Sequence, residues 1–294
     1  MKKKIKNCLV VGLGKIGMMY DLKKKNNYSM AHISSIKKSN YFSLYGAVDT
    51  DPKKRKICNN YFKTRTFDKI EHIDKKKFDL IIISTPTDTH YNVIKKILSL
   101  LSARVILVEK PFTNSFSKAK KLSNLLKNKV KIFVNYSRIT DISSLLIKKK
   151  LIKAPYSYCK VFYSKSILNN CSHFINLFQF FFGDVIQYKL LKKNIFLLKF
   201  NNAEVSFLKK NYARSNNFII KNNKFIIDYR LNSKSIFLVR KNFKRRILSH
   251  NNNINYHVIK NLENFFKQKK YRLCNLKEAV KTHEVLSQIK KYLN

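Results

Sequence analysis

Directly after the apolar run 5–11, the chain reads Gly12-Leu13-Gly14-Lys15-Ile16-Gly17. Glycines at this spacing let a backbone turn sharply off the end of a strand and stay bare enough for a charged ligand to approach. The helix that should follow aims free N–H groups and the positive end of its dipole at the same place. Alone the hexapeptide is a weak signal. Its context strengthens it, because a second strand-like run, 42–48, ends in Asp49-Thr50-Asp51-Pro52, and a carboxylate there can accept hydrogen bonds from an adenosine ribose and repel a 2'-phosphate. Strand, loop, helix and acid in this order imply a dinucleotide site, with Gly12, Gly14, Lys15, Ile16 and Gly17 at the pyrophosphate and Asp49 at the ribose. NAD is the cofactor implied, and Arg55 with the nearby lysines leaves NADP open. The stretch from Gly17 to Asp49 exceeds the usual spacing of about 20 residues, so an insertion is required around 23–29.

The rest of the first half alternates short apolar runs with helical patterns, which predicts βαβ units and a doubly wound parallel sheet. The strands are expected at 5–11, 42–48, 64–67, 80–84, 105–108 and 132–134, with amphipathic helices at 91–101 and 117–126. After about residue 140 the pattern changes. Runs at 156–163, 185–188, 195–200, 205–208, 218–220, 225–229 and 236–239, most of them joined by short polar turns, predict a mostly antiparallel open sheet. Helical stretches at 255–266 and 276–293 follow. The fold class is therefore α/β, with a dinucleotide-binding domain at 1–118 and a substrate and oligomerisation domain at 119–294.

Charge needs weighing, because 62 basic residues against 16 acidic ones give +46. A nucleic-acid surface would concentrate that charge on one element, whereas here lysine runs through nearly every polar segment beside inflated asparagine and isoleucine. Nucleic acid is not the expected partner, though anionic small substrates would benefit from the field. The five cysteines, Cys8, Cys58, Cys159, Cys171 and Cys274, are scattered and never spaced CxxC, so neither a disulfide framework nor a metal site is indicated and a reducing cytoplasm is expected. The longest apolar candidate, 93–108, is broken by Lys95, Lys96 and Arg104, so no membrane span is expected. The basic start 1–12 has too short an apolar run for a signal peptide and reads as a first strand.

Three further segments carry a resemblance. Ser84-Thr85-Pro86-Thr87-Asp88-Thr89-His90 follows the fourth strand, Glu109-Lys110-Pro111 the fifth, and Ser172-His173-Phe174-Ile175-Asn176 opens a helix in the second half. In this order, over nearly the whole chain, they resemble the glucose-fructose oxidoreductase, inositol dehydrogenase and rhizopine catabolism family (Gfo/Idh/MocA). The resemblance implies a Rossmann domain followed by an α/β domain with an open sheet that makes oligomer contacts in a dimer or tetramer. It also implies hydride transfer at a hydroxyl-bearing carbon of a sugar, cyclitol or nucleotide-linked sugar.

Such a reaction needs a base for the hydroxyl proton and a positive group for the developing alkoxide. Lys110 and His173 are the candidates, with Glu109 as a charge partner of Lys110. Lys110 follows a buried strand at the carboxyl edge of the sheet, and His173 opens an all-apolar helix whose dipole would keep the imidazole neutral and able to accept a proton. His173 could also merely satisfy its own helix end. The resemblance places Thr85, Pro86 and His90 beside the cofactor and Asn135, Tyr136 and Arg138 on the substrate side, with a structural role as open as a functional one for Tyr136 and His90. Two positions depart from the family: Asn169 and Asn176 stand where relatives often carry aspartate. An amide can orient an imidazole but cannot stabilise its cation, so Lys110 carries more of the proton transfer, the substrate brings its own negative charge, or catalysis is impaired. The last case leaves a non-catalytic dinucleotide-binding sensor or regulator as the alternative reading.

Overall fold

The computed structural model describes residues 5–22, 29–127, 129–164, 167–192, 194–210, 216–230, 235–240, 243–249 and 254–291. The chain divides into two compact units, Met1–Thr140 with Asn252–Val280, and Asp141–Asn251 with Lys281–Asn294. Residue 118, where the sequence reading divides the chain, lies inside a helix of the first unit.

The first unit is built on strands β1 (Lys6–Val11), β2 (Phe42–Val48), β3 (Thr66–Phe67), β4 (Lys77–Ile83), β5 (Ser102–Val108) and β6 (Lys131–Val134). The last four residues of β1, β4 and β5 are all buried, as expected of parallel strands covered on both faces. Helices α1 (His32–Lys37), α2 (Pro52–Phe62), α3 (His90–Leu100) and α4 (Phe116–Leu126) join them. In space the strands run β6-β5-β4-β1-β2-β3, all parallel. The order reverses between β1 and β4, and at such a switch point the loops leaving the two strands part to open a crevice. The tail completes this unit. Helix α7 (Ile254–Phe266) puts Val258, Ile259 and Leu262 into the core beside Leu80, Leu107 and Phe133, and a two-residue strand, β15 (Cys274–Asn275), pairs antiparallel with β6.

One expected element is broken. No continuous helix follows the glycine loop: after the Met18 N–H donates to the Gly14 carbonyl (2.9 Å), the chain runs through a 3₁₀ turn at Met19–Asp21 and leaves the helical path. The path resumes at α1, whose His32 and Ile33 N–H groups donate to the Ile16 and Gly17 carbonyls at 2.9 and 3.1 Å. Those bonds explain why α1 has no side-chain cap at Ala31, since the donors a cap would satisfy are already spent. After Met18 the chain thus makes an excursion from a single helix, and it is back on that path at His32. The buried Asp21 carboxylate ties its return, accepting from Met30 N (3.2 Å) and Ala31 N (2.8 Å). The insertion expected around 23–29 falls within this excursion, and residues 23–28 lie outside those described. The long helix dipole expected behind the loop is correspondingly cut to one turn and a six-residue helix.

The second unit carries an eight-stranded sheet, β7 (Ser157–Tyr163), β8 (Gln187–Lys192), β9 (Ile195–Phe200), β10 (Ala203–Lys209), β11 (Asn217–Lys221), β12 (Ile226–Arg230), β13 (Ser235–Arg240) and β14 (Phe243–Ser249). The spatial order is β14-β13-β12-β11-β7-β10-β9-β8, antiparallel except for the β7–β10 pair. Alternate residues of β7, β9 and β10 are buried, so one face holds the core. The phenylalanine-rich helix α6 (Ser172–Phe182) lies on this face, with α5 (Ile142–Leu151) beside it, and α8 (Leu276–Lys291) reaches α6 through Thr282. Phe178 of α6 meets Phe218 and Phe207 at centroid distances of 5.4 and 6.3 Å, and Phe218 stacks on Tyr229 at 4.3 Å. Among the described residues no helix is long and apolar enough to cross a membrane. All five cysteines are free and buried.

Candidate functional site

A cleft of about 830 Å³ opens at the carboxyl ends of β1 and β4, at the switch point of the first sheet. Its floor is the glycine loop, and the three glycines have different reasons to be there. Gly12 has φ +101°, and a Cβ on it would meet main-chain atoms of Ser84 and Thr85 at 2.7–2.8 Å. A Cβ on Gly17 would stand 2.2 Å from the Gly12 carbonyl oxygen. Both are demanded by the turn itself. Gly14 is not: its φ is not left-handed and among the described residues a Cβ would meet nothing within 4 Å, so a space that any side chain would take stays open in the cleft. Bare backbone facing unfilled space is what close approach of a pyrophosphate requires. Lys15 and Ile16 line the cleft beside it, whereas Gly17 lies beneath the loop.

Asp49 lines the same cleft from the end of β2. Its Oδ2 accepts from Leu13 N at 2.7 Å and its Oδ1 from Asp51 N at 2.9 Å, which locks the carboxylate against the loop. Two oxygens offer about four acceptor sites, so capacity for ribose hydroxyls remains. Arg55, which the sequence left open for a phosphate, turns back and donates through Nη1 to the Asp49 and Thr50 carbonyls, both at 2.8 Å. Lys54 instead lines the cleft, with Nζ 3.8 Å from Asp49 Oδ1. Lys54 is one of the lysines near Arg55 that the sequence left open for a phosphate, whereas Val93 and Lys96 are lining residues that the sequence reading missed.

The loops after β4 and β5 form the opposite wall. Thr85, Pro86, Glu109 and Lys110 all line the cleft, and the Lys110–Pro111 peptide is cis. His90 is fully buried under them rather than in the cleft. Its Nε2 faces the Thr85 carbonyl at 2.9 Å and its Nδ1 the Phe112 carbonyl at 3.1 Å, so one ring ties the two loops together. Burial pushes the His90 pKa below that of an ordinary histidine, against the upward pull of those carbonyls.

Beneath Lys110 lies a buried polar network. Glu109 Oε1 receives His32 Nε2 at 2.7 Å and Asn135 Nδ2 at 2.6 Å, and Asn135 Nδ2 also reaches Asn255 Oδ1 at 2.9 Å. Asn255 in turn donates to the Met30 carbonyl, the return point of the excursion. Burial works to raise the Glu109 carboxyl, but the His32 bond and charge, the Asn135 amide and the Lys110 charge outweigh it and hold its pKa below 4.5. A carboxylate only accepts, so His32 presents an Nε2 proton, and among the described residues the buried His32 Nδ1 has no partner. Asn135, assigned to the substrate side by the resemblance, thus has its amide nitrogen engaged in this network. Tyr136 is buried just after β6, and the half-buried Arg138 follows on a 3₁₀ turn at Ser137–Thr140.

In the second unit, His173 does not stand at a free helix end as the sequence suggested. A π-helical turn, Ile167–Cys171, runs straight into α6, and Cys171 is itself helical (φ −66°, ψ −35°), so the dipole end lies before His173. A π turn of this kind frequently marks a functional position. His173 is half-buried on the second residue of α6. Asn176 is buried, and its Nδ2 donates to Thr282 Oγ1 of α8 at 3.0 Å, while Thr282 donates to Gln179 at 2.8 Å. The side chain of Asn169 lies outside the described residues.

Residues 6–136 match the model of an oxidoreductase family with an NAD-binding Rossmann fold, Gfo/Idh/MocA. Residues 6–136 belong to that family. The first unit accordingly holds the family's dinucleotide domain, and Gly14, Asp49 and Lys110 line the cleft at its switch point. The chain is 27% identical over 152 residues to the uncharacterized oxidoreductase YhhX of Escherichia coli, covering 50% of this chain and 40% of YhhX. Among solved structures it is similar to an oxidoreductase from Agrobacterium radiobacter in complex with NAD+, L-tartaric acid and magnesium, with TM-score 0.77, 14% identity and coverage of 99% and 96% of the two chains. It is also similar to the UDP-N-acetylglucosamine 3-dehydrogenase GnnA of Acidithiobacillus ferrooxidans, with TM-score 0.77, 13% identity and coverage of 98% and 97%. At such identities the structural likeness shows the fold alone, a two-domain α/β fold over both units.

Proposed function

We propose that the chain is an NAD(P)-dependent oxidoreductase that moves a hydride between nicotinamide and a hydroxyl-bearing carbon of a sugar, cyclitol or nucleotide-sugar. The observation that carries this reading is the space left open at Gly14 in a cleft whose lining also includes Asp49 and Lys110. Bound nicotinamide would supply the hydride acceptor or donor. Gly14 and its neighbours hold the phosphates, and Asp49 accepts from the adenosine ribose and favours NAD over NADP through its negative charge. Lys110 offers its ammonium to the alkoxide that develops at the reacting carbon, and His173 exchanges the hydroxyl proton. Glu109, itself anchored by His32 and Asn135, sets the position of the Lys110 backbone, whose N–H lies 3.3 Å from Glu109 Oε2. The substrate class is drawn from the family and from GnnA, and the open face of the second unit's sheet supplies the contacts of a homo-oligomer.

Titration calorimetry with NAD, NADH, NADP and NADPH tests the reading on wild type and on Lys110→Ala and His173→Ala. NADH binding that both variants keep within about 3-fold, with sugar-dependent reduction of NAD seen in wild type and lost in both, supports it. Failure of all four dinucleotides to bind overturns it. A dinucleotide-binding regulator is the second reading, favoured by Asn176, whose amide is engaged by Thr282 where relatives often carry a carboxylate. NADH binding with no turnover on any sugar tested selects it.

A further inference from the structure

The excursion after Met18 does more than lengthen the loop, because its first turn delivers a side chain to the cleft. Tyr20 lines the cleft with Gly14, Lys15 and Ile16, and it is 43% exposed. Its backbone explains the placement: the Tyr20 N–H donates to the Lys15 carbonyl at 3.0 Å, a five-residue step where a regular helix takes four. That extra residue turns the chain at Tyr20 off the regular helical path. The position is held from both sides, by the Met18 and Met19 bonds to the Gly14 carbonyl and by Asp21, the next residue, clasping Met30 and Ala31. Among the described residues the Tyr20 hydroxyl makes no hydrogen bond and the ring no aromatic contact. A placed, unpartnered phenol beside unfilled space and a bare glycine is equipped to meet an acceptor that arrives with a ligand.

Resting on the dinucleotide reading, we propose that Tyr20 is a cofactor-binding residue contributed by the excursion. Its hydroxyl donates to the pyrophosphate and its ring covers the phosphate segment, slowing release of the dinucleotide. Phosphate oxygens fit better than the adenine, because the bond from Tyr20 N–H to the Lys15 carbonyl and those of Met18 and Met19 to Gly14 tie Tyr20 to the glycine loop.

Calorimetry with NADH, ADP-ribose and AMP on wild type, Tyr20→Phe and Tyr20→Ala tests the assignment, with melting curves recorded for each. Tyr20→Phe is expected to weaken NADH and ADP-ribose about 10-fold, as for one hydrogen bond to a charged acceptor. Tyr20→Ala should weaken them further, and AMP, which lacks the pyrophosphate, should bind all three proteins alike. Equal NADH affinity in all three overturns the assignment, as does an equal loss for AMP. If wild type fails to bind NADH, the dinucleotide reading itself falls and the role of Tyr20 falls with it.

Discussion

Replacing Gly14 and Gly12 by alanine, one at a time, should separate what the glycine loop does for the fold from what it does for a ligand. At Gly14 an added Cβ meets no atom of the described residues within 4 Å and the backbone is not left-handed, so the folded protein loses nothing. The unfolded chain loses freedom, and Gly14→Ala should be stabilising by about 0.4–1 kcal/mol. The same methyl fills the place of a close-approaching phosphate. Losing one or two hydrogen bonds to a charged group costs about 3 kcal/mol, roughly 100-fold in NADH affinity. At Gly12 the balance reverses. An alanine at φ +101° with main-chain atoms at 2.7–2.8 Å bears strain and overpacking that together cost about 3 kcal/mol. That should lower the melting temperature by roughly 6–12 °C. Scanning fluorimetry with and without NADH, beside calorimetry, reads both quantities. A Gly14→Ala protein that binds NADH as tightly as wild type would refute the claim that this space belongs to the dinucleotide. One that melts several degrees lower would refute the geometry.

Two further outcomes concern acid stability. His283 of α8 is buried, and burial pushes its pKa from 6.5 to about 4. A depressed value means full stability above pH 6.5 and a loss that grows as pH falls toward 4, reaching about 3 kcal/mol; His283→Gln should flatten urea midpoints across that window, and an unchanged slope contradicts it. Glu109 titrates below 4.5, so its contribution is present above that pH and is lost below it. Glu109→Gln should cost about 1–3 kcal/mol at pH 7, because the amide must set an N–H against a neighbouring donor, His32, Asn135 or the Lys110 N–H. A melting temperature at pH 7 equal to that of wild type would dissolve this network as a structural element.

The parallel sheet was legible because its strands are continuous apolar runs, and the glycine loop because its geometry leaves little choice of residue. Three of the chain's five glycines, Gly12, Gly14 and Gly17, are spent there. The insertion was legible from the Gly17–Asp49 spacing but the point of the break was not, since nothing in Met18-Met19-Tyr20-Asp21 opposes helix; the return is tied nine and ten residues on, where Asp21 accepts from Met30 and Ala31. Strand β14 carries Lys244, Arg245 and Arg246, and charge on an edge strand hides the alternation that reveals interior ones. Two-residue β15 has no periodicity to read. In the site, Gly14, Asp49, Glu109 and Lys110 were visible as motif positions, whereas His32, Asn255 and Tyr20 depend on tertiary contacts between segments more than 70 residues apart or on the excursion's local turn.

The core of the first unit is closed by α7 and β15, which lie more than a hundred residues beyond the rest of it. During synthesis the six parallel strands therefore emerge while the surface that will receive Val258, Ile259 and Leu262 is still bare. It stays bare until the eight strands of the second unit, β7 to β14, have been made. A nascent chain with that much apolar surface waiting on so distant a segment is a substrate for chaperones, and the first unit becomes whole only after the strands of the second have been made.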